Sequence, residues 1–357
     1  MTRTSHRRTT VNPSPTRSRV TRFGLRFIFA LCVFFVAGEV AIRFYWTLRG
    51  LSFFRCPAQF HLVHYRKLQP IEKETIRFGD GRFDLLMLGA SVLDPRYGHI
   101  EKLLPVKLEP LIDGALRVHN VAASAHVSLD SYYKYRHLAD KQFDLVLVYH
   151  GINEVRANNC PASVFREDYA HYSWYEDMNE LEATDATNSL AFPFTAKSLW
   201  RRSLSRLGWR QHVPKDMTNM HGSPWIHEGR DIKTRTPFRR NLQDILDLAK
   251  EKDETAMIMT FAYLPDPWPP GSSPPLLPTE IWGQPANVIK GIETHNQVIH
   301  QLMNENPHVL FVDQRRLIPQ EQTYFQDICH LSTEGSARFV DNVIDVLAPG
   351  GTRLTPQ

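Results

Sequence analysis

Four short stretches carry residue types that together can attack an ester. Ser91 closes the run FDLLMLGAS (83–91), and Asn153 closes FDLVLVYHGIN (143–153), two residues after Gly151. Near the C-terminus, FQDICHLSTEG brings Asp327 and His330 to the mouth of an amphipathic helix. A loop histidine beside a carboxylate is half of a nucleophile-activating system: the base takes the serine proton and the carboxylate holds its tautomer. The oxygen that becomes negative needs preorganised N–H donors. The Asn153 amide and the backbone of a small-residue segment, NVAASA (120–125), would supply them.

Each of these residues also has an ordinary reading. A serine at a strand end is often a helix N-cap, and Asn153 and Asp327 could cap local backbone N–H groups. Ser124 and Ser128 are rival nucleophiles. His126 and His150 read as packing or substrate-contact residues, and Asp313 as structural. The chain shows no His/Asp/Glu cluster with metal spacing and no Gly-rich phosphate loop, so neither a metal nor a cofactor is expected.

The elements that must position these residues alternate. Apolar runs at 83–91, 116–125, 143–153, 255–265 and 309–314 read as buried parallel strands, several ending in small residues. Segments 100–112, 128–140, 238–253, 288–306 and the stretch after His330 have helical spacing. Such alternation implies an α/β fold with a parallel sheet covered on both faces, and a site beyond the carboxyl ends of its strands. Two segments break the rhythm, 154–236 and the Pro-rich 264–285. Both follow strand ends, and each is either surface decoration or a wall over the site.

On these motifs the chain resembles the SGNH hydrolases, also called GDSL esterases and lipases, over residues 83–347. The resemblance implies a three-layer, flavodoxin-like parallel sheet and four signature blocks. The usual Gly-Asp-Ser block is Gly89-Ala90-Ser91, making Ser91 the nucleophile, with its own N–H in the oxyanion hole. The second block falls on Asn120–Ala125, with Ala125 where the family has a glycine whose N–H enters that hole. Gly-x-Asn is Gly151-Ile152-Asn153, with Asn153 as side-chain donor, and Asp-x-x-His is Asp327-Ile328-Cys329-His330. Gly89 and Gly151 support the site. Alanine at 125 keeps the N–H but adds a Cβ, which strains a backbone of positive φ.

Charge and hydropathy place this domain beside a membrane. The net charge of +4 comes from seven arginines before residue 27, with no acid among them, and the remainder is net negative. The basic balance therefore belongs to a tail and not to a nucleic-acid-binding face. Phe27 to Ile42 is apolar apart from Glu39, and Phe44, Tyr45 and Trp46 follow as an interfacial belt. This reads as a single-pass anchor over 26–46, with the arginines cytoplasmic and everything after residue 46 outside. A cleaved signal peptide is the rival, with Val36-Ala37-Gly38 as a weak cut site. Glu39 needs a partner, protonation or a place near the outer interface.

The expected organisation is a basic disordered tail (1–25), the anchor (26–46), an entry segment (47–82), the hydrolase-like domain (83–348) with insertions at 154–236 and 264–285, and a short tail (349–357). The expected function is a serine esterase acting on an extracytoplasmic carbohydrate or lipid ester. The alternatives are an O-acyltransferase acting on cell-envelope polysaccharide and an inactive binding module. Of the four cysteines, Cys56 and Cys160 are either one disulfide or two free thiols.

Overall fold

The structure, a computed structural model, describes residues 15–56, 59–183, 190–209, 212–213, 225–265 and 282–357. In chain order the main elements are helix α1 (Pro15–Thr47), strand β1 (Arg82–Gly89), α2 (Ile100–Leu108), β2 (Ala115–Asn120), α3 (Ser128–His137), β3 (Leu145–Tyr149), α4 (Ile152–Ala157), α5 (Ser173–Ala183), α6 (Ala191–Arg206), α7 (Arg235–Glu251), β4 (Thr255–Met259), α8 (Pro285–Glu305), β5 (Leu310–Val312) and α9 (Thr333–Leu347). They form two units. One comprises Met1–Phe60 with Asp185–Arg201, and the other His61–Thr184 with Arg202–Gln357.

The second unit is a five-stranded, all-parallel sheet in the order β2-β1-β3-β4-β5. Its central strands are apolar runs because both faces are covered: β1 is buried from Phe83 to Gly89 and β3 throughout. Helix α2 packs with α9, while α3 packs with α7 and α7 with α8, giving the layers above and below the sheet. The α7 stripe of Phe238, Leu242, Ile245, Leu246 and Ala249 is buried, as its period requires. The first crossover leads from β1 to β2 on one side, and the next passes back over β1 to β3. The strand order thus reverses between β1 and β3, where loops diverge and leave a crevice at the carboxyl ends.

The three-layer α/β fold matches the sequence expectation, but some boundaries move. The second unit begins at His61 and not near residue 83, because Tyr65, Leu68, Ile71 and Ile76 are buried. It also runs to the last residue. Leu354 N–H donates to Leu111 O at 2.8 Å, and Gln357 N–H donates to Asp144 Oδ1 at 2.6 Å. Residues 15–25, expected as a disordered tail, belong to α1; the arginines there are good helix formers. Residues 1–14 and most of the Pro-rich segment (266–281) lie outside the described residues.

In the first unit, Arg22–Thr47 of α1 is the one candidate among the described residues that is long and apolar enough to cross a membrane, and its apolar window is unburied. All four cysteines are free thiols.

Candidate active site

Strand β1 ends at Gly89, where a side chain would be crowded, and delivers Ser91 to the turn that follows. A Cβ on Gly89 would stand 2.6 Å from the Leu93 side chain and 3.0 Å from the Tyr149 carbonyl. After it the chain makes a short 3-10 turn, Ser91–Leu93, and Ser91 is almost buried. The Asn120 amide ties that turn to the end of β2, donating to Leu93 O at 2.7 Å and accepting from Ala122 N–H at 2.9 Å. Gly151 is also spatially required, since its Cβ would stand 2.5 Å from the Phe261 Cβ.

Beyond β5, a loop returns Asp327 and His330 to Ser91. His330 Nε2 is 2.9 Å from Ser91 Oγ, and His330 Nδ1 is 2.6 Å from Asp327 Oδ2. With Nδ1–H donating to the carboxylate, Nε2 is left to accept the serine hydroxyl proton. Asp327 Oδ1 accepts the backbone N–H groups of Cys329 at 2.8 Å and His330 at 2.7 Å. Burial pushes the Asp327 carboxyl up, but the hydrogen bonds and charge of His330 and these N–H groups outweigh it and hold it below the usual value. The Asp-x-x-His spacing is what lets one carboxylate hold both the ring and the backbone of the same histidine.

The residues expected to donate N–H groups lie on the loops after β2 and β3. Ala125 has φ +64°, so the left-handed backbone persists at this position although the residue carries a Cβ. Asn153 is buried, and its Nδ2 donates to His126 O at 3.0 Å, leaving a second N–H on that nitrogen. The left-handed conformation costs alanine roughly 1–2 kcal/mol. A glycine adds only about 0.4–1 kcal/mol of unfolded-chain entropy. Strain is the larger effect, so Ala125→Gly should raise the melting temperature with the activity retained; differential scanning calorimetry beside an activity assay checks both.

Several residues that complete the site gave no signal in the sequence. Tyr97 stacks on the His330 ring, with centroids 5.0 Å apart and planes 19° apart. Trp282, the described end of the Pro-rich segment, lies 6.4 Å from the same ring and donates from Nε1 to Asn153 Oδ1 at 3.3 Å. That end of the loop therefore forms a wall of the site. Lys134, buried in α3, donates to Val121 O at 2.7 Å and to His126 Nδ1 at 3.1 Å, bracing the loop that carries Ala125 from behind. Burial pulls the Lys134 ammonium down to about 7. The neighbouring Asp130 accepts the hydroxyls of Tyr65 at 2.9 Å and Tyr175 at 2.6 Å. Tyr175 belongs to the 154–236 segment, so part of that segment buttresses the fold behind the site.

The rival readings separate cleanly. Ser124 Oγ accepts from Arg96 at 3.2 Å and Ser128 Oγ from Asn241 at 3.0 Å, whereas His330 Nε2 meets Ser91 Oγ. His150 pairs with Ser131 Oγ at 2.7 Å, and burial pulls its ring down to about 3, a packing role. Asp313 caps the turn after β5, accepting from Thr260 Oγ1 at 2.7 Å. Among the described residues, one cluster has metal-type donors, Asp327, Cys329 and His330, with those atoms within 4.8 Å. Its histidine Nδ1 is engaged by Asp327, and burial pushes the Cys329 thiol well up, away from the thiolate that a metal would need.

No family model matches this chain, and no curated protein matches it. Solved structures do. An acetyl xylan esterase is 12% identical, with a TM-score of 0.41 over 73% of this chain and 98% of its own. An acetylxylan esterase from Geobacillus stearothermophilus is 15% identical, with a TM-score of 0.41 over 78% and 99%. A GDSL-like lipase from Bacteroides thetaiotaomicron is 13% identical, with a TM-score of 0.44 over 79% and 96%.

Proposed function

We propose that this chain is a membrane-tethered serine esterase that works through an acyl-enzyme on Ser91. The observation that carries the reading is the unbroken hydrogen-bond chain from Ser91 Oγ through His330 to Asp327 at the carboxyl ends of a parallel sheet. Ser91 attacks the acyl carbonyl as His330 Nε2 takes its proton. The carbonyl oxygen becomes an oxyanion, held by the N–H groups of Ser91 and Ala125 and the free N–H of Asn153. Collapse breaks the ester bond, and His330 returns the proton to the departing alcohol. A water then enters, loses its proton to His330 and releases the acid.

The apolar helix supports a tether at the membrane, and the arginines before residue 27 support a cytoplasmic N-terminus with the catalytic unit outside. From that position the substrate would be an ester on an extracytoplasmic carbohydrate or lipid. The aromatic faces of Tyr97 and Trp282 beside His330 suit the flat side of a sugar ring or an acyl chain.

The test uses the full-length chain in detergent with a fluorophosphonate probe and short-chain p-nitrophenyl esters. Labelling confined to Ser91 together with ester turnover is the expected result; a folded chain that neither labels nor turns over ester would sink the reading. Removing one oxyanion donor should lower kcat by on the order of 10²–10³. Asn153→Ala is therefore expected to lose that much kcat with little change in KM, measured by steady-state kinetics.

A further inference from the structure

We infer that α6 is an interfacial helix, seated in the outer leaflet of a bilayer that contains anionic lipid and fastened there by Glu39 of α1. The inference rests on the reading of α1 as a membrane span. Glu39 interrupts the apolar run of α1, and its carboxylate is fully engaged. Oε1 accepts Ala191 N–H at 3.0 Å and Oε2 accepts Phe192 N–H at 2.8 Å, while Arg43 Nε donates to Oε1 at 2.6 Å. These are N-terminal amides of α6, which have no acceptor within their own helix. In hydrocarbon they would have no water either, so an acid on the neighbouring helix is the economical solution.

The depth of this contact follows from α1. Glu39 lies seven residues before Trp46, or roughly 10 Å along the helix axis. Interfacial helices bury their apolar face about 5–10 Å into the headgroup boundary, so the start of α6 falls at that depth. Phe192 packs edge-on against Phe34 and Phe35, each at 5.6 Å, and a Cβ on Gly38 would stand only 2.9 Å from its ring. Small residues admit such close approach between helices in lipid. Trp46 Nε1 donates to Thr195 at 3.4 Å and Phe194 stacks on Phe60 at 5.0 Å, at the level of the aromatic belt.

The outward face of α6 fits the same partner. Pro193, Ala196 and Trp200 recur at helical spacing and continue to Leu207 just past the helix, all exposed, with Trp200 63% and Leu207 64% accessible. The helix has four basic residues and no acid, with Lys197 on one flank of the stripe and Arg206 on the other; Arg202, on the far face, pairs with Asp177 at 3.1 Å. An apolar stripe between basic flanks, continuous with a lipid-facing helix, is complementary to an acyl layer under anionic headgroups.

The test places the full-length chain in nanodiscs whose lipids carry bromine near the glycerol end of the acyl chain. Trp200→Phe and Trp46→Phe each identify one component of the tryptophan fluorescence. The inference expects both components to be quenched, the Trp200 component more strongly when phosphatidylglycerol is present, with that dependence lost in Lys197→Glu/Arg206→Glu. A quenched Trp46 component beside an unquenched Trp200 component would overturn the interfacial helix and leave the span standing. Two unquenched components would overturn both. A Trp200 component that escapes bromolipid but changes between one and two chains per disc would assign this face to a second copy instead.

Discussion

Ser91→Ala is expected to abolish covalent labelling and to lower esterase kcat by on the order of 10⁶, the scale seen when a triad serine is removed from a working hydrolase. The size follows from the geometry. Among the described residues, Ser91 Oγ is the only hydroxyl placed on His330 Nε2, so none of them inherits its role. Ser124 and Ser128 are held by Arg96 and Asn241. Removing an almost buried hydroxyl whose partner is a loop histidine should leave the fold intact. Circular dichroism and a melt beside intact-mass detection of the probe adduct check this. A variant that retained turnover would move the nucleophile elsewhere.

Asp327→Asn is expected to lower kcat by on the order of 10⁴, because an amide in place of the carboxylate favours the wrong tautomer of the base. It should also change the pH dependence of stability. The Asp327 carboxyl sits below its ordinary value in the folded chain. A lowered folded value means that the native state favours the ionised form. Its contribution is therefore present above the unfolded value of about 3.9 and fades as pH falls through the folded one. The variant lacks that contribution at every pH. The melting-temperature gap between wild type and Asp327→Asn should be open at pH 7 and close as acid is added; a gap independent of pH would contradict the sign. Steady-state kinetics at neutral pH reads the catalytic loss separately.

The five strands could be read from the sequence because a strand covered on both faces must be apolar along its length, and FDLLMLG and LVLVY admit little else. Ser91 and Asn153 stood out for a related reason, since polar residues that end such runs stand where the sheet opens, while Asp327 and His330 stood out as a carboxylate and a histidine at the mouth of an amphipathic helix. The context of Ala125 was legible too, since a segment of small side chains marks tight backbone. The rest depends on contacts far apart in the chain. Tyr97 and Trp282 meet His330 from residues 97 and 282, and nothing local distinguishes them from other aromatics. Lys134 sits among polar neighbours in α3 and reads as a solvated lysine until the loop it supports is seen. Glu39 was recognised as needing a partner, yet that partner, the start of α6, lies some 150 residues away, within a stretch with no clear period.

The 239-residue separation between Ser91 and His330 has a consequence for how the molecule is made. Synthesis runs from the N-terminus, so α1 and β1 emerge long before the histidine exists. Through most of translation the serine is present without its base. The hydroxyl acquires an acceptor only when the last loop, after β5, has left the ribosome and docked. If Ser91 is the nucleophile proposed above, chains that end before this loop cannot form an acyl-enzyme. On the proposed function, a fragment cut before residue 327 would have no hydrolytic reach, and the late arrival of the histidine would confine the reactive state to chains that carry the last loop.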